Sequence, residues 1–135
     1  MRGARLLAAA LAVLPDSSWA KTGTPGPHYF EGVYDRVGRS GGEVPALLND
    51  RVTIAPVGQS VAIRACAGPD TIMDFGPAFE IEYLMTGSSG AVPVECLVHN
   101  NGYNRPILTC RAEDGASYTL WPVSAGASGG APDCG

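Results

Sequence analysis

Short runs of alternating hydrophobic and polar residues recur along most of this chain, and Gly or Pro residues separate them. The runs lie at 30–37, 51–55, 60–66, 71–75, 92–98, 107–112 and 117–121. A period of two places every second side chain on the same face of a strand, which is typical of a half-buried β-strand. The pattern therefore predicts an all-β fold: a small antiparallel meander of about six to eight short strands, closed as a barrel or packed as a sandwich, with room for one short helix.

Two hairpins are the most specific local predictions. The runs 51–55 and 60–66 flank Pro56-Val57-Gly58-Gln59, and the runs 92–98 and 107–112 flank a polar stretch from Asn100 to Asn104. Paired alternating runs around such turn residues favour β-hairpins. Residues 44–50 are instead predicted to form a turn or a single helical turn, and residues 86–90 a flexible loop.

Residues 77–87 fit two structures. Pro77 at the start and Gly87 at the end suit the two ends of a helix, and Phe79 and Tyr83 are spaced as neighbours on one helix face. The stretch from Phe79 to Tyr83 also alternates as a strand does. Because the flanking pattern is β throughout, the sequence favours a strand here.

The first 20 residues predict a cleavable secretory signal peptide. Arg2 and Arg5 precede an apolar run at 6–14, and Ser18-Trp19-Ala20 supplies small residues at the cleavage site. The run is shorter than the roughly 20 residues that span a bilayer, so no membrane insertion is expected after cleavage. We therefore expect a secreted or periplasmic protein, with a flexible arm at 21–28, a β-domain at 29–123 and a Gly/Ala/Ser-rich tail at 124–135.

The charge of the chain argues against two classes of partner, nucleic acid and anionic lipid. The full chain has 9 basic and 13 acidic residues, of which the predicted signal holds two and one, so the exported chain carries a net charge of −5 with His neutral. Its basic residues are scattered singly. A nucleic-acid partner requires a clustered basic face, and anionic lipid requires the same, so neither is expected.

The four cysteines, Cys66, Cys96, Cys110 and Cys134, predict two disulfide bonds in an exported chain. Cys96 and Cys110 are equidistant from Tyr103, so the second hairpin would place them opposite each other. This favours Cys96–Cys110, with Cys66–Cys134 by elimination, although pairings of Cys66 with Cys96 or Cys110 remain open.

Catalytic and metal-binding patterns are weak. No two cysteines have zinc-ligand spacing and neither His28 nor His99 falls in a ligand pattern, so no metal or other cofactor is expected. Glu80 and Glu82 are a close carboxylate pair, but such a pair on a strand more often forms a solvated face. His99 has no serine in a nucleophile context to act on. We therefore expect no catalytic residues.

The stretch from His99 to Arg105 is the most unusual in composition. Its amides, aromatic ring and cation suit polar recognition, and His99, Asn101, Tyr103, Asn104 and Arg105 are the candidate binding residues. The same composition also suits a plain turn, because Asn and Gly tolerate positive φ. Elsewhere, Tyr34 and Trp121 are expected to pack in the core where the first and last strands meet.

The sequence thus predicts a non-enzymatic binding module for an unknown protein or small ligand, with an inhibitor of a secreted hydrolase as one specific form. A small secreted hydrolase and a structural envelope-associated domain are the alternatives.

Overall fold

In a computed structural model, the chain is described over residues 25–103 and 105–125 and at residues 132 and 134. A 3-10 helix at Pro27–Phe30 precedes the first strand, and the helix α1 (Pro77–Glu82) lies between the fourth and fifth strands. The eight strands are β1 (Gly32–Arg39), β2 (Leu47–Val57), β3 (Ser60–Arg64), β4 (Thr71–Asp74), β5 (Leu84–Ser89), β6 (Val92–Asn100), β7 (Pro106–Ala112) and β8 (Ser117–Ala125).

The strands form one closed antiparallel barrel in chain order. Each strand pairs with the next, and β1 also pairs with β8, so that Gly38 lies opposite Tyr118. The predicted all-β antiparallel meander is confirmed, and it closes as a barrel. Closure pairs both edges of the sheet, which removes the unpaired backbone groups that an open edge would expose.

Alternation along the strands fills the interior of the barrel. In β1, Tyr34 is buried between the less buried Val33 and Asp35, and in β2 Val52 and Ile54 are fully buried in the interior. An eight-stranded barrel is just wide enough for side chains to fill or for one small ligand. The fully or almost fully buried core comprises Phe30, Tyr34, Val52, Ile54, Val61, Ile63, Met73, Phe79, Met85, Val94, Cys96, Leu108, Cys110, Tyr118 and Leu120.

The two ends of the barrel differ. At one end, which we call the plugged end, the 3-10 helix and α1 bring Phe30, Phe75 and Phe79 together, with ring centroids 5.0–6.4 Å apart. The Tyr34 hydroxyl donates a hydrogen bond to the Phe30 carbonyl at 2.7 Å, which ties the 3-10 helix to β1. The other end, which we call the open end, is formed by the connections β1–β2, β3–β4, β5–β6 and β7–β8.

The strand favoured by the sequence for residues 79–83 is wrong, because these residues belong to α1 and its end. Pro77 begins the helix, Phe79 is buried in the aromatic cluster, and Tyr83 ends it in the left-handed conformation, with φ of 57°. The strand β5 starts only at Leu84. The gain from burying Phe79 in the plugged end outweighs the alternating pattern.

Two stretches predicted as non-strand are strands. Leu47 to Asp50 belongs to β2, where Asp50 lies opposite Arg36 of β1. Thr86 to Ser89 belongs to β5, where Gly87 lies opposite Met73 of β4. A Cβ at Gly87 would lie 1.8 Å from a backbone oxygen of β4, so this glycine permits a close strand approach rather than a flexible loop.

Trp121 does not pack in the core with Tyr34, contrary to expectation. Tyr34 is fully buried and lies opposite Pro122, whereas Trp121 lies opposite Asp35 and is 51% exposed. The register between β1 and β8 shifts beside Tyr34, and β8 continues past Pro122 to Ala125. Such an irregularity accommodates a proline within a strand.

Both favoured disulfide bonds are confirmed. Cys96 lies directly opposite Cys110 in the β6–β7 hairpin, and both are buried inside the barrel. Cys66, in the β3–β4 loop at the open end, is bonded to Cys134.

Two disulfide bonds are consistent with an extracellular compartment. No helix in the described part of the chain is long and apolar enough to cross a membrane. The predicted signal peptide lies outside the described residues.

Candidate functional site

A cavity of about 330 Å³ lies at the open end of the barrel. Its apolar walls come from inward-facing residues of several strands, among them Leu48, Ile63, Val92 and Val94. Small residues complete the wall, among them Ala112 at the end of β7 and Ala67 in the β3–β4 loop. The volume falls at the lower end of the range of small-molecule sites, about 300–1,000 Å³.

Arg36, which lines this cavity, forms an ion pair with Asp50. It faces into the barrel from β1, and its Nε and Nη2 donate to the two carboxylate oxygens of Asp50 at 2.8 and 2.7 Å. The Arg36 side chain is only 17% exposed, and its guanidinium lies over the Tyr118 ring, 5.5 Å from the centroid. The bidentate pair neutralises the arginine charge and fixes the guanidinium against the aromatic ring.

Tyr118 supplies a neutral hydroxyl to the cavity. Burial raises the pKa of Tyr118 above its usual value, and this effect is opposed by the nearby Arg36 charge and by a hydrogen bond with Thr71. Because the phenol of Tyr118 stays protonated at neutral pH, it can both donate and accept a hydrogen bond. Thr71, itself buried, belongs to the same wall.

The rim of the cavity is held by hydrogen bonds between two connections. The Gly42 N–H in the β1–β2 loop donates to the Asp114 carbonyl in the β7–β8 turn at 3.0 Å. The Asp114 side chain accepts from the Ala116 N–H at 3.0 Å and lies so close to Gly41 that a Cβ there would be 2.3 Å from its carboxyl carbon. These contacts preorganise the Asp114 carboxylate at the cavity rim.

The β3–β4 loop forms another part of the rim. Ala67, Gly68 and Pro69 line the cavity. An Arg64–Asp70 ion pair of 3.4 Å closes the base of the loop, and the Cys66–Cys134 bond pins its tip. Three of the four open-end connections are thus held in place. The β1–β2 and β7–β8 connections are hydrogen-bonded to each other, and the β3–β4 loop is fixed by its ion pair and its disulfide bond.

The predicted binding stretch 99–105 lies at the plugged end, away from this cavity. The Asn101 side chain accepts from the N–H groups of Tyr103 and Arg105 at 2.8 and 3.1 Å, and the Asn100 side chain accepts from Gly102 at 2.7 Å. These bonds are those of a turn. Binding by this stretch stays a prediction, with Asn101 occupied by the turn itself.

The remaining candidates in the stretch point in different directions. His99 and Tyr103 are exposed, Tyr103 by 85%, and Asn104 lies outside the described residues. Arg105 turns inward, and its Nε and Nη2 are buried with no hydrogen-bond partner among the described residues. Its charge lies close enough to Tyr34 to oppose the rise that burial causes in the pKa of that phenol.

Sequence reasoning missed polar residues that line the cavity, among them Arg36, Thr71, Asp114 and Tyr118, and it missed Asp50, the ion-pair partner of Arg36. One signal was available. Arg36 and Asp50 share the strand parity of buried Tyr34 and Val52, so a strand reading through residue 50 places both charges on the inward face. A charged pair on an inward face marks a polar wall.

Other candidate chemistry does not converge on the cavity. Glu80, Glu82 and His99 are exposed and do not line it. Within the described ranges, no group of three or more His, Cys, Asp or Glu residues is arranged to hold a metal ion. The site and fold therefore define a closed eight-stranded barrel with a ligand-sized recess at one end.

No family model, no curated protein and no solved structure matches the chain.

Proposed function

We propose that this protein is a non-enzymatic binding module that takes a small molecule into the open end of its barrel. The main support is the cavity of about 330 Å³, which has apolar walls and a few fixed polar groups. Its rim is held in place by hydrogen bonds and a disulfide bond. Small-molecule sites combine these features, because apolar walls supply affinity and a few polar groups set orientation.

The filled interior below the cavity also supports this proposal. Cys110 of the Cys96–Cys110 bond lies opposite Tyr118, so the disulfide cross-links the buried interior next to a residue of the cavity wall. A rigid interior and a tied rim reduce the conformational entropy that a ligand would otherwise have to remove. The proposed place of action is outside the cytoplasm, as a secreted or periplasmic protein, in keeping with the predicted signal peptide and the two disulfide bonds.

The test is a fragment screen by NMR. Amide signals of the protein would be followed during addition of fragments of at most about 15 heavy atoms, the size that suits a small pocket. We expect shifts at Ile63, Val94 and Tyr118. An Ala112→Trp substitution fills the cavity from its wall and should abolish them. Ala91→Trp is the matched control, because Ala91 is exposed in the β5–β6 turn at the same end and does not line the cavity.

Two outcomes of the fragment screen would refute the proposed ligand site. If no fragment shifts the cavity amides, or if Ala112→Trp binds fragments as the wild type does, the cavity is not a ligand site.

A protein partner at the plugged end is the second candidate, and the 85% exposure of Tyr103 favours it. A secreted hydrolase would be one such partner. Tyr103→Ala would then reduce capture of a partner from the surrounding medium, while Ala112→Trp would not. Tyr103 is a suitable residue for this substitution because its side chain is not needed for the turn, whose hydrogen bonds use its backbone N–H.

A further inference from the structure

We infer that the ligand of the open-end cavity is an amine: a small molecule with an apolar or aromatic body and a cationic group that lies against Asp114. This inference rests on the proposed function and specifies its ligand class. It follows from which polar groups of the cavity are already satisfied within the protein and which are not.

The two charged residues of the cavity differ in whether another residue of the protein already balances their charge. Among the described residues that line it, Arg36 and Asp114 are charged. Arg36 donates to both carboxylate oxygens of Asp50 through Nε and Nη2, so a carboxylate of the protein already balances its charge. An anionic ligand would meet a guanidinium whose charge Asp50 already balances and, at the rim, the negative charge of Asp114, so the cavity does not favour anions.

The charge of the Asp114 carboxylate, in contrast, is not balanced by a nearby cation of the described chain. One carboxylate oxygen accepts the Ala116 N–H, and no Lys, Arg or His of the described chain lies within 4.0 Å of the carboxylate. The contact with Gly41 and the backbone bond from Gly42 hold the turn that carries it. A fixed carboxylate that lacks a cation at the edge of an apolar recess is suited to an ammonium group.

The remaining lining gives the ligand its orientation. Leu48, Ile63 and Val94 form the apolar part, deeper in the barrel than Asp114. A ligand with its apolar body against these side chains would place its amine at the rim, where it also remains partly hydrated. The overall negative charge of the chain, −4 with His neutral, acts in the same direction by disfavouring the approach of anions.

The experiment compares three probes of nearly equal size: 2-phenylethylamine, 2-phenylethanol and 3-phenylpropanoate. Dissociation constants would be measured by NMR titration at low salt. An ion pair at an exposed rim is worth up to about 1 kcal/mol, so we expect the amine to bind up to about fivefold more tightly than the alcohol. The carboxylate should bind most weakly, and added salt should reduce the amine preference.

Asp114→Asn is the decisive variant. Asn keeps an oxygen that can accept the Ala116 N–H, so the turn is preserved, and the Kd of the alcohol serves as the check that the cavity is intact. We expect Asp114→Asn to remove the difference between amine and alcohol. Glu113→Gln is the matched control, because Glu113 is the adjacent exposed carboxylate and does not line the cavity. It should keep the preference.

The outcomes separate the two proposals. Equal Kd values for amine and alcohol in the wild type, or equal loss of preference in Asp114→Asn and Glu113→Gln, overturn the amine inference and leave the binding function standing. If none of the three probes shifts the cavity amides, and the fragment screen is also negative, both are overturned.

Discussion

The disulfide bond inside the barrel should be a main source of stability. Cys96 and Cys110 lie opposite each other in one hairpin, 14 residues apart in sequence, and are 0% and 1% exposed. We consider the double variant Cys96→Ala/Cys110→Ala. Removing a cross-link that closes a loop of about 15 residues costs about 3 kcal/mol in the chain-entropy model.

Burial adds to this cost. The two sulfur atoms lie in an inward row that continues from Met85 on one side to Tyr118 on the other. Their removal leaves space in the core, and each lost buried group of this size costs about 0.8 kcal/mol or more. The expected loss in the free energy of unfolding is therefore about 4–5 kcal/mol, a large share of the 5–15 kcal/mol typical of a domain.

Urea denaturation followed by circular dichroism measures this loss. A decrease of less than about 2 kcal/mol would show that the chain-entropy and burial arguments do not apply to this hairpin. Native-state reduction gives an independent check, because Cys66 is exposed whereas Cys96 and Cys110 are not. Mild reductant followed by alkylation should label Cys66 and Cys134 first, and equal labelling of all four would contradict the buried position of the inner bond.

Three further substitutions test other contacts by the same denaturation assay. Gly38→Ala would place a Cβ 2.2 Å from the Ser117 backbone oxygen between β1 and β8, so we expect a loss of about 3 kcal/mol; a change within about 0.5 kcal/mol would contradict the close approach. Tyr34→Phe leaves the Phe30 carbonyl without its donor and should cost about 1–3 kcal/mol, whereas an unchanged midpoint would show that the bond contributes nothing. Arg105→Met removes two buried, unpartnered N–H groups, so stability should stay level or rise by up to about 2 kcal/mol; a clear loss would reveal an acceptor for the guanidinium.

Local pattern was sufficient for the elements whose partners are close in sequence. The β2–β3 and β6–β7 hairpins and the Cys96–Cys110 bond follow from alternation around a turn, because the register of a hairpin is set by its own residues. The same pattern failed for Phe79. Its helical conformation depends on burial against Phe30, which lies 49 residues earlier in the 3-10 helix and which the local pattern does not reveal.

The cavity could not be predicted for a related reason. Three of its bounding segments are connections that are distant in sequence, β1–β2, β3–β4 and β7–β8, and its polar wall joins Arg36 to Tyr118 only because β1 pairs with β8. The sequence predicted a turn or a single helical turn for residues 44–50, whereas Asp50 belongs to β2 and lies opposite Arg36. Its inward position makes sense only with the guanidinium opposite, and that pairing belongs to the tertiary structure.

The pairing of β1 with β8 also determines when the protein can finish folding. The hydrogen bonds that close the barrel join residues 32–39 to residues 117–125, so a nascent chain that lacks residues beyond 116 has two unpaired sheet edges. The inner disulfide needs only the β6–β7 hairpin and can form in such a chain. Closure, which joins distant segments, must come later and is the slower event. During folding the unfinished barrel would therefore be the species most in need of protection from aggregation.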